Sequence, residues 1–306
     1  MSSNICRKGE FNMKRAGILF LMMVMMVSLF AGCTAQAKGE PGKKAILVVS
    51  FGTSYSDTRE LTIKATEDAI TKEFPEYEVR RAFTSQIIID KLEKRDNLII
   101  DNPEQAFKKL KDEKFSEVIV VSLHVMNGAE FHDVKAVVEE NKENFDTLVL
   151  GNALLTHNEN YTELVEAMEL QMPELADNEA VVFMGHGSHH FANATYAALD
   201  YNFKDLGHKN VFIGTVEGYP MIDSVMAALE EKNIEKVTLM PLMLVAGDHA
   251  ENDMGGDEDD SWKTILKKAG YSVDVYMHGL GENEAVREMY IQHVREAIES
   301  SKVISE

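Results

Sequence analysis

The chain has 306 residues, 45% of them hydrophobic and 27% charged, enough apolar sequence for one large or two medium globular domains and too much for a wholly disordered chain. Its 31 basic and 51 acidic residues give a formal net charge of −20, a field that repels nucleic acid and anionic headgroups and attracts cations. The two cysteines, Cys6 and Cys33, both lie near the N-terminus, so the globular part has neither a disulfide framework nor a thiolate metal site.

The N-terminal segment has the pattern of an export signal. "MKRAGILFLMMVMMVSLFAGC" begins at Met13, a candidate start, with Lys14 and Arg15, continues as an uncharged apolar run from Ala16 to Ala31, and ends in small residues. The run is short for a membrane span, which needs about 20 apolar residues. Two processing routes fit. "LFAGC" resembles a lipobox that would leave a lipid anchor on Cys33, and Ala35, Gln36 and Ala37 form a small-x-small cleavage site. Residues 1–37 are therefore expected to be signal and processing region and 38–42 a linker, with the mature protein exported, either periplasmic or anchored outside the inner membrane. Loss of residues 1–33 removes four basic residues and one acidic, leaving 27 basic and 50 acidic, net −23.

The first predicted strand, "AILVVSFGTS" (45–54), is continuously apolar and ends in glycine and hydroxyl residues. "DTRELTIKATEDAITKEF" follows with helical spacing of Leu61, Ala65, Ala69 and Ile70. A continuous apolar run predicts a strand covered on both faces, hence a parallel sheet between helices. "EVRRAFTS", "SEVIVVSLHV" and "DTLVLGNALL" continue the alternation of strand and helix, which is an α/β pattern.

The second half repeats the plan. "AVVFMGHGS" aligns with "AILVVSFGTS", so that Ala180 falls on Ala45 and Gly187 on Gly52; "KVTLMPLMLVAGDHAEND" aligns with "EVIVVSLHVMNGAEFHDV", so that Gly247 falls on Gly128; and "GLGENEA" echoes "LLTHNENY". The expected fold is two similar Rossmann-like α/β domains, 43–165 and 178–300, made by internal duplication, with parallel sheets, flanking helices and a cleft between them. In this alignment His186 corresponds to Phe51 and His249 to Glu130. The scaffold is repeated but these two histidines are not, and both follow C-terminal strand ends, where open α/β sheets bind ligands.

A third strand end, "VFIGTVEGYP", adds Glu217. Two imidazoles and a carboxylate suit a divalent transition metal, and neutral imidazole also serves as a base near neutral pH. The spacing belongs to no local metal motif such as HExxH. GxSxG and the phosphate-cradling glycine patterns are absent, and the glycines of "DMGGDEDD" do not fit an EF-hand loop. His189 and His190 are expected to be structural hydrogen bonders, and Asp257 to Asp260 a solvated loop.

Together, "VVSFGTSYSDTRE", "RAFTS", "SLHVMNGAEF", "VVFMGHGSHH", "VEGYP" and "LMPLMLVAGDHAENDMGGDEDDSWK" resemble the anaerobic, class II sirohydrochlorin cobaltochelatases in their two-domain form, in order from about residue 43 to 300. The resemblance implies a tetrapyrrole held between two chelatase-type domains and insertion of Co²⁺, with Fe²⁺ as an alternative metal. It places the metal-handling residues on His186, Glu217 and His249, with His186 as the catalytic base. Thr53, Ser54 and Arg81 are candidates for gripping the ring's carboxylates. The leader departs from ordinary members of that family, and it raises an alternative: a periplasmic haem or metal carrier on the same fold, with His124 as a candidate axial haem ligand. The expected partners are sirohydrochlorin, a divalent metal and a second copy in a homo-oligomer, and no nucleic acid.

Overall fold

The computed structural model describes residues 42–304; the signal region, the processing sites and Cys33 lie outside the described residues. Eight strands form two four-stranded sheets. The first contains β1 (Lys44–Ser50), β2 (Glu78–Phe83), β3 (Glu117–Ser122) and β4 (Thr147–Leu150) in the order β2-β1-β3-β4. The second contains β5 (Glu179–Gly185), β6 (Val211–Thr215), β7 (Lys236–Pro241) and β8 (Ser272–Val275) in the order β6-β5-β7-β8. Every pairing is parallel, and the two orders are the same when the second set is renumbered from its first strand. Gly52 and Gly187, aligned in the two halves, share the left-handed region at φ +93° and +84°, a conformation that glycine adopts without the Cβ penalty.

Helices cover both faces. They are α1, built from Ser56–Arg59, a π-helical turn Glu60–Lys64 and Ala65–Glu73; then α2 (Gln86–Asp96), α3 (Pro103–Asp112), α4 (Ala129–Asn141), α5 (Asn158–Glu169), α6 (Ala194–Asp205), α7 (Ile222–Glu231), α8 (Trp262–Lys268) and α9 (Glu284–Ile304). The central strands β1 and β5 are each buried at six consecutive positions, as their unbroken apolar runs require of a sheet covered on both sides.

Alternate residues of each strand enter different cores. Ala45, Leu47 and Val49 of β1 pack in an outer core with Val118, Val120 and Phe107, and Ala180, Val182 and Met184 of β5 in another with Leu239 and Trp262. Ile46 and Val48 share one continuous core with Val181 and Phe183 of the second sheet and with Tyr290 and Val294 of α9. The halves are thus joined through a common interior. Helix α9, which chain order assigns to the second half, packs against β3, β4, α1 and α5, and the Tyr290 hydroxyl donates to the Leu123 carbonyl at 3.0 Å. Its apolar stripe is complementary to the inner face of the first sheet, and sequence periodicity does not say which sheet receives such a stripe.

Candidate metal centre

The site is assembled from the loops after β5, β6 and β7. Beyond the last paired residues of β5 and β6 the parallel ladder continues for two steps: Val216 N–H donates to Gly185 O at 3.0 Å and Glu217 N–H to His186 O at 2.8 Å. This sets Glu217 beside His186. The two loops approach so closely that a Cβ on Gly187 would lie 2.3 Å from Gly218 N, and a Cβ on Gly218 would lie 2.9 Å from Gly187 Cα, contacts that a side chain at either position would forbid. Asn193 ties the loops together, accepting from Ser188 N–H at 3.0 Å and donating through Nδ2 to Tyr219 O at 2.6 Å. Beneath them the Tyr196 hydroxyl accepts from Gly187 N–H at 3.2 Å.

His249 comes from the third loop, as the first residue of a π-helical turn, His249–Met254. Such turns are rare and concentrate at functional sites. The first half braces this loop: Tyr55 Oη donates to Asp248 Oδ1 at 3.2 Å and Thr58 Oγ1 to Ala246 O at 3.3 Å.

One ligand atom each from His186, Glu217 and His249 lies within 4.8 Å of the others, and the two imidazoles meet edge to face with centroids 4.7 Å apart. Both histidines are half-buried and Glu217 is exposed. The hydrogen bonds fix the tautomers. His186 Nδ1 faces the Gly187 carbonyl at 2.9 Å and His249 Nδ1 faces Asp253 Oδ2 at 2.6 Å; both partners only accept, so Nδ1 carries the proton on each ring and Nε2 keeps its lone pair. A carboxylate behind a histidine also raises its basicity as a ligand. Two Nε2 atoms and one carboxylate, with positions left open, suit a divalent Co, Fe, Ni or Zn ion that must later be released.

The other expected site residues do not join this trio. Thr53 and Ser54 are 3% and 2% exposed. Thr53 Oγ1 accepts from Tyr55 N–H at 3.2 Å and the Thr53 carbonyl accepts from Arg59 at 3.3 Å, so Thr53 supports the loop that braces His249. Arg81 lies on the edge strand β2, forked through Nε and Nη2 onto Glu67 at 2.7 and 2.5 Å. His124 Nδ1 is 2.8 Å from Ser122 Oγ. Its Nε2 lies 3.3 Å from Glu130 Oε2 without hydrogen-bond geometry and is buried.

Sequence reasoning missed Asp253, Asn193 and the placement of Glu130. Asp253 carried a signal, a carboxylate four residues after His249. Glu130 of the first half stands beside the buried His124, its Oε2 3.3 Å from His124 Nε2, and burial first, with the Glu130 carboxylate more weakly, pushes the Tyr196 phenol up.

Comparison with known proteins identifies the family. The family model described as cobalt chelatase (CbiK) matches residues 44–299. The sirohydrochlorin cobaltochelatase of Salmonella typhimurium is 44% identical over 256 residues, covering 84% of this chain and 97% of that protein. The sirohydrochlorin cobaltochelatase CbiKC of Nitratidesulfovibrio vulgaris is 33% identical over 263 residues, with 84% and 91% covered. Among solved structures, SirB from Bacillus subtilis with Fe³⁺ is similar in fold, with a TM-score of 0.58 at 18% identity over 84% of this chain and 97% of that one. The family match across almost the whole described body, together with these two relatives, shows that the chain belongs to the cobalt chelatase (CbiK) family.

Proposed function

We propose that this protein is a sirohydrochlorin cobaltochelatase, an enzyme that inserts Co²⁺ into sirohydrochlorin. The observation that carries the reading is the convergence of His186, Glu217 and His249, ligand atoms within 4.8 Å, in a chain whose relatives bear that name. Insertion requires the ion to shed water and the macrocycle to lose two pyrrole protons. Nε2 of His186, Nε2 of His249 and the Glu217 carboxylate replace water on the ion as it arrives. As the ion passes to pyrrole nitrogens, the lone pair of His186 Nε2 is released and accepts a proton, with Nδ1 held on Gly187 O throughout. Glu217, exposed and with no side-chain hydrogen bond among the described residues, is placed to accept the second. Fe²⁺ fits the same donor set.

The test is a steady-state insertion assay on the purified mature protein with Co²⁺ and metal-free sirohydrochlorin, followed by absorbance. His186→Ala and His249→Ala are each expected to lower the rate at least 100-fold, the scale of losing a catalytic base; rates equal to wild type would overturn the assignment.

Export is supported by the signal pattern of residues 13–33. Cell fractionation and fatty-acid labelling, with Cys33→Ala as control, separate a lipid anchor from a released form. A haem-carrying role through His124 has less support, because its Nε2 is buried beside Glu130.

A further inference from the structure

A chain of net charge −20 must recognise a macrocycle edged with acetate and propionate groups, so its overall field opposes its substrate. Local donors have to reverse that repulsion, and the metal trio supplies none, since its two Nδ1–H groups are spent on Gly187 O and Asp253.

Two other histidines meet where the halves face each other. His132 stands in the first turn of α4 and His190 in the loop after β5; their ring centroids are 4.9 Å apart at 73°, and Phe191 lies against both, at 6.1 and 4.0 Å. His190 Nδ1 accepts from Ala192 N–H at 3.1 Å, so in the neutral ring the proton is on Nε2, a ready donor. His132 is exposed, and among the described residues its ring makes ring contacts but no hydrogen bond.

Beside them is a depression of about 340 Å³ lined by Leu155, Tyr161, Phe191, Ala194 and Ala198, with Asn127 and Thr156 at one side. Phe191 is 79% exposed, a large apolar ring in water next to two imidazoles. The turn that carries it is fixed relative to the metal centre: His190 N–H donates to Ser188 Oγ at 3.0 Å, and Asn193 binds the loop of Glu217 through Tyr219 O.

We propose that His132, His190 and Phe191 form a subsite for a carboxylate-bearing edge of the tetrapyrrole, the imidazole N–H groups taking carboxylates and Phe191 with the depression taking their alkyl stems. This rests on the chelatase reading above. One donor comes from each half, and the two rings already stand side by side in this structure.

The experiment is fluorescence titration of the mature protein with metal-free sirohydrochlorin and with its fully esterified methyl ester, in wild type, His132→Phe and His190→Phe, which keep a ring and remove the N–H donor, with Co²⁺ binding measured separately by calorimetry. Each substitution is expected to weaken the free acid about tenfold, the scale of one hydrogen bond to a charged group, while ester and Co²⁺ affinities stay at wild-type values. Free-acid affinity unchanged in both variants overturns the subsite. So does equal loss of acid and ester, which would mean shape without carboxylate recognition. A wild type that binds Co²⁺ but neither macrocycle overturns the chelatase reading itself, and the subsite with it.

Discussion

Asp253 touches no expected reactant, yet its removal should weaken metal binding. Its Oδ2 takes the Nδ1 proton of His249 at 2.6 Å, four residues on within the same π-helical turn. Without that acceptor the ring can turn, adopt the other tautomer and lose basicity at Nε2. Deleting such a supporting partner costs 10–100-fold in metal affinity in general. The two side chains are 32% and 44% exposed, so solvent screens the pair and the lower end applies: about tenfold, or ~1.4 kcal/mol, for Asp253→Ala. Asp253→Asn keeps an acceptor oxygen and loses the charge, and should cost about threefold, roughly half of that free energy. The assay is isothermal calorimetry of Co²⁺ binding near neutral pH in the absence of macrocycle, with circular dichroism to show an unchanged fold. An Asp253→Ala protein that binds Co²⁺ as wild type does would refute the positioning role. Losses beyond about 100-fold in both variants would refute it in the other direction, by making Asp253 a ligand.

Asn193→Ala removes both bonds that tie the His186 and Glu217 loops. About 1–2 kcal/mol of stability should go, at ~1 kcal/mol per bond, with Co²⁺ affinity falling about tenfold; urea unfolding and calorimetry check the two, and an unchanged Co²⁺ affinity would show the clamp to be irrelevant to the trio. His293 is 2% exposed with neither ring nitrogen in a well-formed hydrogen bond, and burial chiefly lowers its pKa, with His157 adding to the shift and Glu296 and Glu163 opposing it. The folded state therefore resists a proton that the unfolded state binds below about pH 6.5. Stability should be level above that pH and fall as pH drops below it. His293→Leu should flatten this slope in urea titrations run on either side of the transition; an equal acid loss in the variant would place the effect elsewhere.

The strands and the metal trio were legible because each depends on information carried locally. β1 and β5 are unbroken apolar runs, and doubly covered strands have that composition. His186 and His249 stood out because the repeat holds Phe51 and Glu130 in their places. Apart from Asp253, four residues from His249, what escaped depends on contacts that only the fold creates. Arg81 reads as a free cation until the fold brings Glu67 to it from α1. Thr53 has the composition of a ligand loop, and the fold adds that it is buried with its Oγ1 accepting from Tyr55 N–H. Asn193 is an ordinary loop residue until Tyr219, 26 positions later, arrives beside it. Helix α9 lies on the first sheet because an amphipathic stripe specifies a face to bury and not which sheet buries it.

The backbone bonds show where the two copies of the duplicated unit differ at the candidate metal centre. Ser85 N–H donates to Phe51 O in the first half as Glu217 N–H donates to His186 O in the second, so Ser85 and Glu217 are structural equivalents. Ser85 is committed locally, since its hydroxyl accepts from Ile88 N–H and caps α2, which starts at the next residue. In the second half α7 starts only at Ile222, and four residues, Gly218 to Met221, separate it from Glu217. That insertion releases the position from capping and lets a longer acidic side chain approach His186 and His249. The same holds at the third strand end, where Glu130 lies in the regular first turn of α4 while His249 opens a π-helical turn with Asp253 behind it. The difference between the halves is therefore one of loop length and helix start, imposed on strands that kept their order and register. Under the proposed function this asymmetry has a use: with His186, Glu217 and His249 all on one half, the other half is left free to contact the ring.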